Sequence, residues 1–93
     1  MANVTSKQFI SNNRTRVNNH IVHVTNNNIY LQSYDSIVVR INKRTQRVTL
    51  GIDWSYSMTT KKYVKQFIEQ YTSTAYSTKE LHDTFKVENL SVK

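Results

Sequence analysis

From Ile37 to Ile52 the apolar residues keep a period of two on both sides of a polar connection. Ile37, Val39 and Ile41 alternate with Val38, Arg40 and Asn42, and Val48, Leu50 and Ile52 alternate with Arg47, Thr49 and Gly51. Such alternation marks strands with one face against a core, and the connection Asn42 to Gln46 is of hairpin length. An antiparallel hairpin follows, with Ile37, Val39 and Ile41 facing inward. Upstream, the β-branched run Ile21, Val22, Val24 stops at Asn26, Asn27 and Asn28, residues that tolerate positive φ, and Ile29 to Ser33 reads as a further strand ending at Tyr34 and Asp35. Residues 20–52 are therefore expected to form an antiparallel sheet of three to four strands. Gly51 is the only glycine. The strand is expected to bulge or end beside it, delivering Asp53, Trp54, Ser55 and Tyr56 into a loop.

Beyond the loop the period changes. Tyr63, Val64, Phe67, Ile68 and Tyr71 fall on a single stripe about 140° wide at 100° per residue, which predicts a helix over about 60–71, capped by Ser57 or Thr59 and packed on the sheet. Its opposite arc carries Lys61, Lys62, Lys65, Gln66, Glu69 and Gln70. After a break at 72–75, Ser77 and Glu80 form a capping box flanked by the staple pair Tyr76 and Leu81, so a second short helix is expected over 77–87, with Leu81 and Phe85 as core contacts. Residues 89–93 are expected to fray, and residues 1–19, polar and anchored only by Val4, Phe9, Ile10 and Val17, to form a basic arm or short helix. The fold class is α+β: a small antiparallel sheet against one main helix and a second short one, a single domain over residues 1–93.

Ninety-three residues with 38% apolar content, and Asn, Ser and Thr at 30 positions, leave room for only a thin core. The absence of Cys and Pro and the lone Gly exclude a disulfide framework, a Cys-based zinc site, a thiol nucleophile and a Gly-rich phosphate loop. No apolar run approaches the roughly 20 residues of a membrane span, so a cytoplasmic setting without membrane contact is expected. The formal charge is +7, and it is unevenly placed. Residues 1–65 carry ten Lys and Arg against Asp35 and Asp53, whereas residues 66–93 carry three Lys against four acids. An acidic partner is expected on the first two thirds of the chain.

The basic residues form sets: Lys43, Arg44 and Arg47 at the hairpin, Lys61, Lys62 and Lys65 in the helix, Arg14 and Arg16 in the N-terminal segment. Lysines at a helix start oppose its macrodipole, and structure alone gives no reason for them. Clustered cations of this kind suit phosphates, and the sets are expected to share one anionic-partner surface. Trp54, Tyr56 and Tyr63 interleave with them; Trp54 and Tyr63 are expected to close the core. Other pairings carry less. His20 and His23, three apart on a strand, point to opposite faces; His82 and Asp83, adjacent on a helix, do not face each other; Asp35 and Asp53 suit turn capping. No catalytic residue, metal or cofactor is implied.

The frame SYDSIVV, a short hairpin, then LGIDWSYSMTTKKYVKQFI resembles small uncharacterised proteins and domains of tailed phages and prophages. In those a serine-tyrosine pair and a β-hairpin precede Trp-x-Tyr-Ser-x-Thr-Thr and a helix. The matching positions are Ser33, Tyr34, Trp54, Tyr56, Ser57, Thr59, Thr60 and Phe67, within residues 33–68. Where those proteins often carry His in the helix, this chain has Tyr63. The resemblance implies an α+β unit in a phage context, in the host bacterial cytoplasm, without an established activity. From the residues, Trp54 to Thr60 is a strand-to-helix corner with Trp54 plugging the sheet end and hydroxyls satisfying free N–H groups. The expected function is non-enzymatic binding of nucleic acid or a nucleoprotein. The alternative is an inhibitor of a host or defence protein, anti-CRISPR-like, acting by protein contact.

Overall fold

The computed structural model describes residues 4–92. Their elements are β1 (Thr5–Ile10), β2 (Arg16–Val24), β3 (Asn28–Ser33), β4 (Ser36–Asn42), β5 (Val48–Gly51), α1 (Met58–Thr72), α2 (Thr78–Thr84) and β6 (Val87–Glu88). The strands make one sheet in sequence order, antiparallel from β1 to β5, with β6 added parallel to β5 after the two helices. The class is α+β, with six strands in a mixed sheet instead of three to four.

Both extra strands lie at edges. β1, expected within an arm or helix, pairs with β2 from Thr5↔Val24 to Ile10↔Arg16, and only Phe9 among its residues is buried. An edge strand washed by solvent needs no apolar alternation, so its sequence carries little period. Residues 1–3 of that expected arm lie outside the described residues. β6 replaces the last turns of the expected second helix: α2 ends at Thr84, Phe85 is extended, and Leu50↔Val87 and Gly51↔Glu88 pair in parallel. The chain beyond does not fray at once, since Leu90 is buried and bridges Ile37. Lys93 lies outside the described residues.

The helical stripe packs as its period requires. Val64, Phe67 and Ile68 are buried with Val22, Leu31, Val39, Ile41 and Leu50 of the sheet, and Tyr63 and Tyr71 close the margins of that cluster. Trp54 plugs the sheet end, 3% exposed, and Leu81 anchors α2. Ser57 caps α1, its Oγ accepting the Thr60 N–H at 3.1 Å, while Thr59 stays exposed. The Ser77–Glu80 capping box is complete, and Tyr76 meets Phe85 edge-on at 5.1 Å.

Two inward positions differ from the simple alternation. In β4, Val39 opposes Leu31 and Ile37 opposes Gln32, so Val38 is the extra residue of a bulge, and it is fully buried while Ile37 is half-buried. Ile52 is exposed, because β5 ends at Gly51. The bulge and the glycine belong together. A Cβ at Gly51 would collide with the Ile37 carbonyl oxygen and stand 2.9 Å from Val38 Cα. Only a residue without a side chain admits the bulged backbone so closely. Gly51→Ala is expected to cost about 3 kcal/mol, near the upper end for overpacking, read as a lowered urea midpoint; an unchanged midpoint would refute the close approach.

Candidate functional site

At the end of the sheet where β3 turns into β4, buried polar groups from β2, β3 and the start of α1 form a hydrogen-bonded chain. The Asn18 carbonyl can only accept, so His20 Nδ1 donates to it at 2.9 Å, which leaves Nε2 of the neutral ring as an acceptor. The Ser33 hydroxyl donates to Nε2 at 3.1 Å and accepts from the Thr60 hydroxyl at 3.1 Å. Thr60 Oγ1 accepts from Ser57 at 3.1 Å, and Ser57 accepts the Thr60 N–H. Each group in the chain has its partner. Rings of Tyr63 and Tyr34 stand edge-on to His20, with centroids 5.0 and 5.9 Å away.

Four positions of the serine-tyrosine and Trp-x-Tyr-Ser-x-Thr-Thr frame, Ser33, Tyr34, Ser57 and Thr60, thus meet at one place. His20, which completes it, was foreseen only as a strand histidine facing away from His23. It does face away: His23 lies on the other face of the sheet, bonded to Ser6 Oγ at 2.6 Å and Gln32 Oε1 at 2.8 Å. A serine hydroxyl on a histidine nitrogen has the form of a nucleophile and its base. Here Ser33, His20 and Thr60 are all buried, so the pair meets no solvent and, through the Ser33–Thr60 bond, helps to fasten the helix to the sheet.

The basic residues surround this end and the opposite one. Lys61, Lys62 and Lys65 share a cleft with Met58, Thr59 and Thr78. Thr60 ties their helix turn to Ser33, at the end of β3 away from the β4–β5 turn. Lys43 and Arg44 line a second cleft with Asn26, Asn27, Asn28 and Asn42, and Arg47 a third with Thr45 and Phe85. The helix and hairpin sets therefore stand at opposite ends of the sheet, roughly 20 Å apart by the length of a seven-residue strand. Lys86 joins Arg47 in the third cleft. Its place was hidden because residues 85–87 read as helix.

Arg14 and Arg16 are exposed on the β1–β2 hairpin, which is held against α1. Gln66 Oε1 accepts the Asn12 N–H at 2.8 Å, Gln70 Nε2 donates to the Ile10 carbonyl at 2.9 Å, and Glu69 accepts from Asn12 Nδ2 at 3.2 Å. The far arc of the helix is thus a clamp at its C-terminal half and a bare basic surface at its start.

Among the described residues no Lys or Arg forms an ion pair with a carboxylate; the one ionic contact is His82 Nδ1 with Asp83 Oδ1 at 3.3 Å, on solvent-exposed groups. That contact corrects the expectation that the two do not face each other, and its exposure leaves it little weight in stability. Asp53 accepts the Ser36 hydroxyl at 2.7 Å, fixing the loop to the β3–β4 turn, and Asp35 is exposed. No three His, Asp or Glu side chains converge among the described residues.

A family profile matches residues 2–83, and its description is a family of unknown function (DUF8033). No curated protein and no solved structure matches the chain.

Ser33→Ala is expected to leave His20 Nε2 without its donor and the Thr60 O–H without its acceptor, both buried, at about 1 to 3 kcal/mol for each lost partner. Urea unfolding checks this against Ser55→Ala, an exposed position; equal midpoints would remove the buried chain as a determinant of the fold.

Proposed function

The chain belongs to the DUF8033 family, a family of unknown function, and we propose from its own charges that it is a non-enzymatic accessory protein that binds nucleic acid or a nucleoprotein through its basic surface. The observation that carries this reading is the lack of any internal carboxylate partner for the Lys and Arg side chains among the described residues. Cations held apart from carboxylates keep their full field for a partner. The separation of the helix and hairpin sets favours an extended polyanion, because a small phosphate reaches only one of them. Arg14 and Arg16 add a third set on the β1–β2 hairpin.

The same reading makes the protein a non-enzyme: the Ser33–His20 pair is buried, and the solvent-facing Ser6–His23 pair has the Gln32 amide, not a carboxylate, on the second histidine nitrogen. It places the work in the bacterial cytoplasm, in keeping with the resemblance of residues 33–68 to phage proteins. No helix among the described residues is long and apolar enough to cross a membrane. One observation favours the second reading, an inhibitor of a host or defence protein: Tyr34, Ile52, Tyr56 and Met58 are large, apolar and exposed. Exposed apolar patches commonly mark protein contacts.

Salt titration of duplex binding separates the two. Replacing Lys61, Lys62 and Lys65 by Gln, or Lys43, Arg44 and Arg47 by Gln, is expected to flatten the slope of log affinity against log salt by roughly two to three for each triple variant. Folding should persist, because surface changes stay within about 0.5 kcal/mol. Wild-type slopes in both variants would remove these residues from the interface. No wild-type binding of either duplex or single strand at low salt would overturn the nucleic-acid reading in favour of protein contact.

A further inference from the structure

We propose that the loop end of the sheet, which carries Tyr34, Tyr56, Lys61 and Lys62, is a platform for single-stranded nucleic acid, with unpaired bases stacked on the two rings and phosphates on the two lysines. This rests on the nucleic-acid reading above and narrows it to a strand type and a place.

Tyr34 and Tyr56 are 52% and 58% exposed, although the eight other aromatic side chains of the chain are buried or close the margins of the core. They are brought together by the buried chain. Tyr56 precedes Ser57, Tyr34 follows Ser33, and Thr60 is bonded to both serines at 3.1 Å. Tyr34 sits in the two-residue connection between β3 and β4 at φ 55°, a left-handed conformation that a bulky residue rarely adopts. Its N–H donates to the Asn19 carbonyl at 2.7 Å, and Gln32 Nε2 donates to its carbonyl at 2.6 Å, so the ring is carried on a fixed backbone.

The cations are continuous with the rings. Lys62 Nζ lies 5.3 Å from the Tyr63 centroid, Tyr63 meets His20, and His20 meets Tyr34. Lys61 follows Thr60 directly. A partner for this surface must offer negative charge and flat apolar faces at short intervals. Single-stranded nucleic acid offers both, and stacking on aromatic side chains is its usual mode of capture. A duplex hides its base faces, and an acidic peptide offers planar rings only where it carries aromatic side chains, not at every repeat.

Fluorescence anisotropy with a short labelled oligothymidine, an abasic strand of the same length and a duplex tests the platform. Tyr56→Ala, and Tyr34→Asn, chosen because Asn tolerates the left-handed backbone, are each expected to weaken oligothymidine binding about five- to a hundredfold. Tyr34→Phe and Tyr56→Phe should bind as wild type. The salt slope should not change in any tyrosine variant, because the phosphate contacts remain. Abasic strand should bind more weakly and equally to wild type and variants. Equal binding of oligothymidine by wild type and both ring-deleted variants, or abasic binding as tight as oligothymidine, overturns the platform. Duplex binding that still depends on lysine would then leave the broader reading standing. Absence of all nucleic-acid binding at low salt overturns both and leaves the rim as a protein-contact surface.

Discussion

A single line of hydroxyl groups, Ser57, Thr60 and Ser33, running to His20 and the Asn18 carbonyl, sets where the main helix begins on the sheet, and the surface features at that end take their positions from it. The line has one direction in the neutral state, because it ends on a carbonyl that cannot donate. A hydroxyl that turned round would face a neighbour with nothing to offer. Networks of this kind are costly when half satisfied and specific when complete. Among the described residues no buried side-chain polar atom lacks a partner. The residues joined are 13 and 27 apart in sequence, so the network ties three segments that local propensity alone leaves free to slide. Tyr63 contributes a ring that stands edge-on to His20.

The scarcity of glycine shapes the rest. Left-handed backbone is needed at five described positions, and all five are filled by residues with side chains: Arg14, Asn19, Tyr34, Gln46 and Ser73. Asn tolerates this region, whereas Tyr pays for it in strain. The lone glycine is used elsewhere, at negative φ, where the bulge at Val38 brings two backbones closer than any Cβ allows. Close approach admits no substitute, whereas a turn with left-handed φ admits several residues at moderate cost.

This division explains what was legible from residue types. The β4–β5 hairpin and the α1 stripe could be read because one face of each meets the core and the other meets water, which prints a period on the chain. Ser57 and the Ser77–Glu80 box were legible because capping chemistry is local. β1 and β6 were not, since one is a solvent-washed edge and the other is two residues long, its pairing decided by the return of the chain across β5. The outer arc of α1 looked uniformly solvated, yet Gln66, Glu69 and Gln70 hold the β1–β2 hairpin. Polar residues that clamp and polar residues that merely dissolve look alike until the partner strand is in place. The motif positions were legible as a corner; their convergence on His20 was not, because it depends on the register His20↔Ser33.

The distribution of charge follows from the same architecture. At about 0.1 M salt the Debye length is about 10 Å, half the separation of the helix and hairpin sets, so neither set feels much of the other. Crowding them onto one face would have raised their mutual repulsion; placing them at opposite ends of β4 avoids it. A small anion would reach only one of the two sets. A polymer that has met one set holds its remaining charges near the second, and its second contact forms at a high effective concentration. Were the partner the polyanion proposed above, this spacing would favour a long chain over a short one, and the exposed rings at one end would give it an end-specific point of attachment.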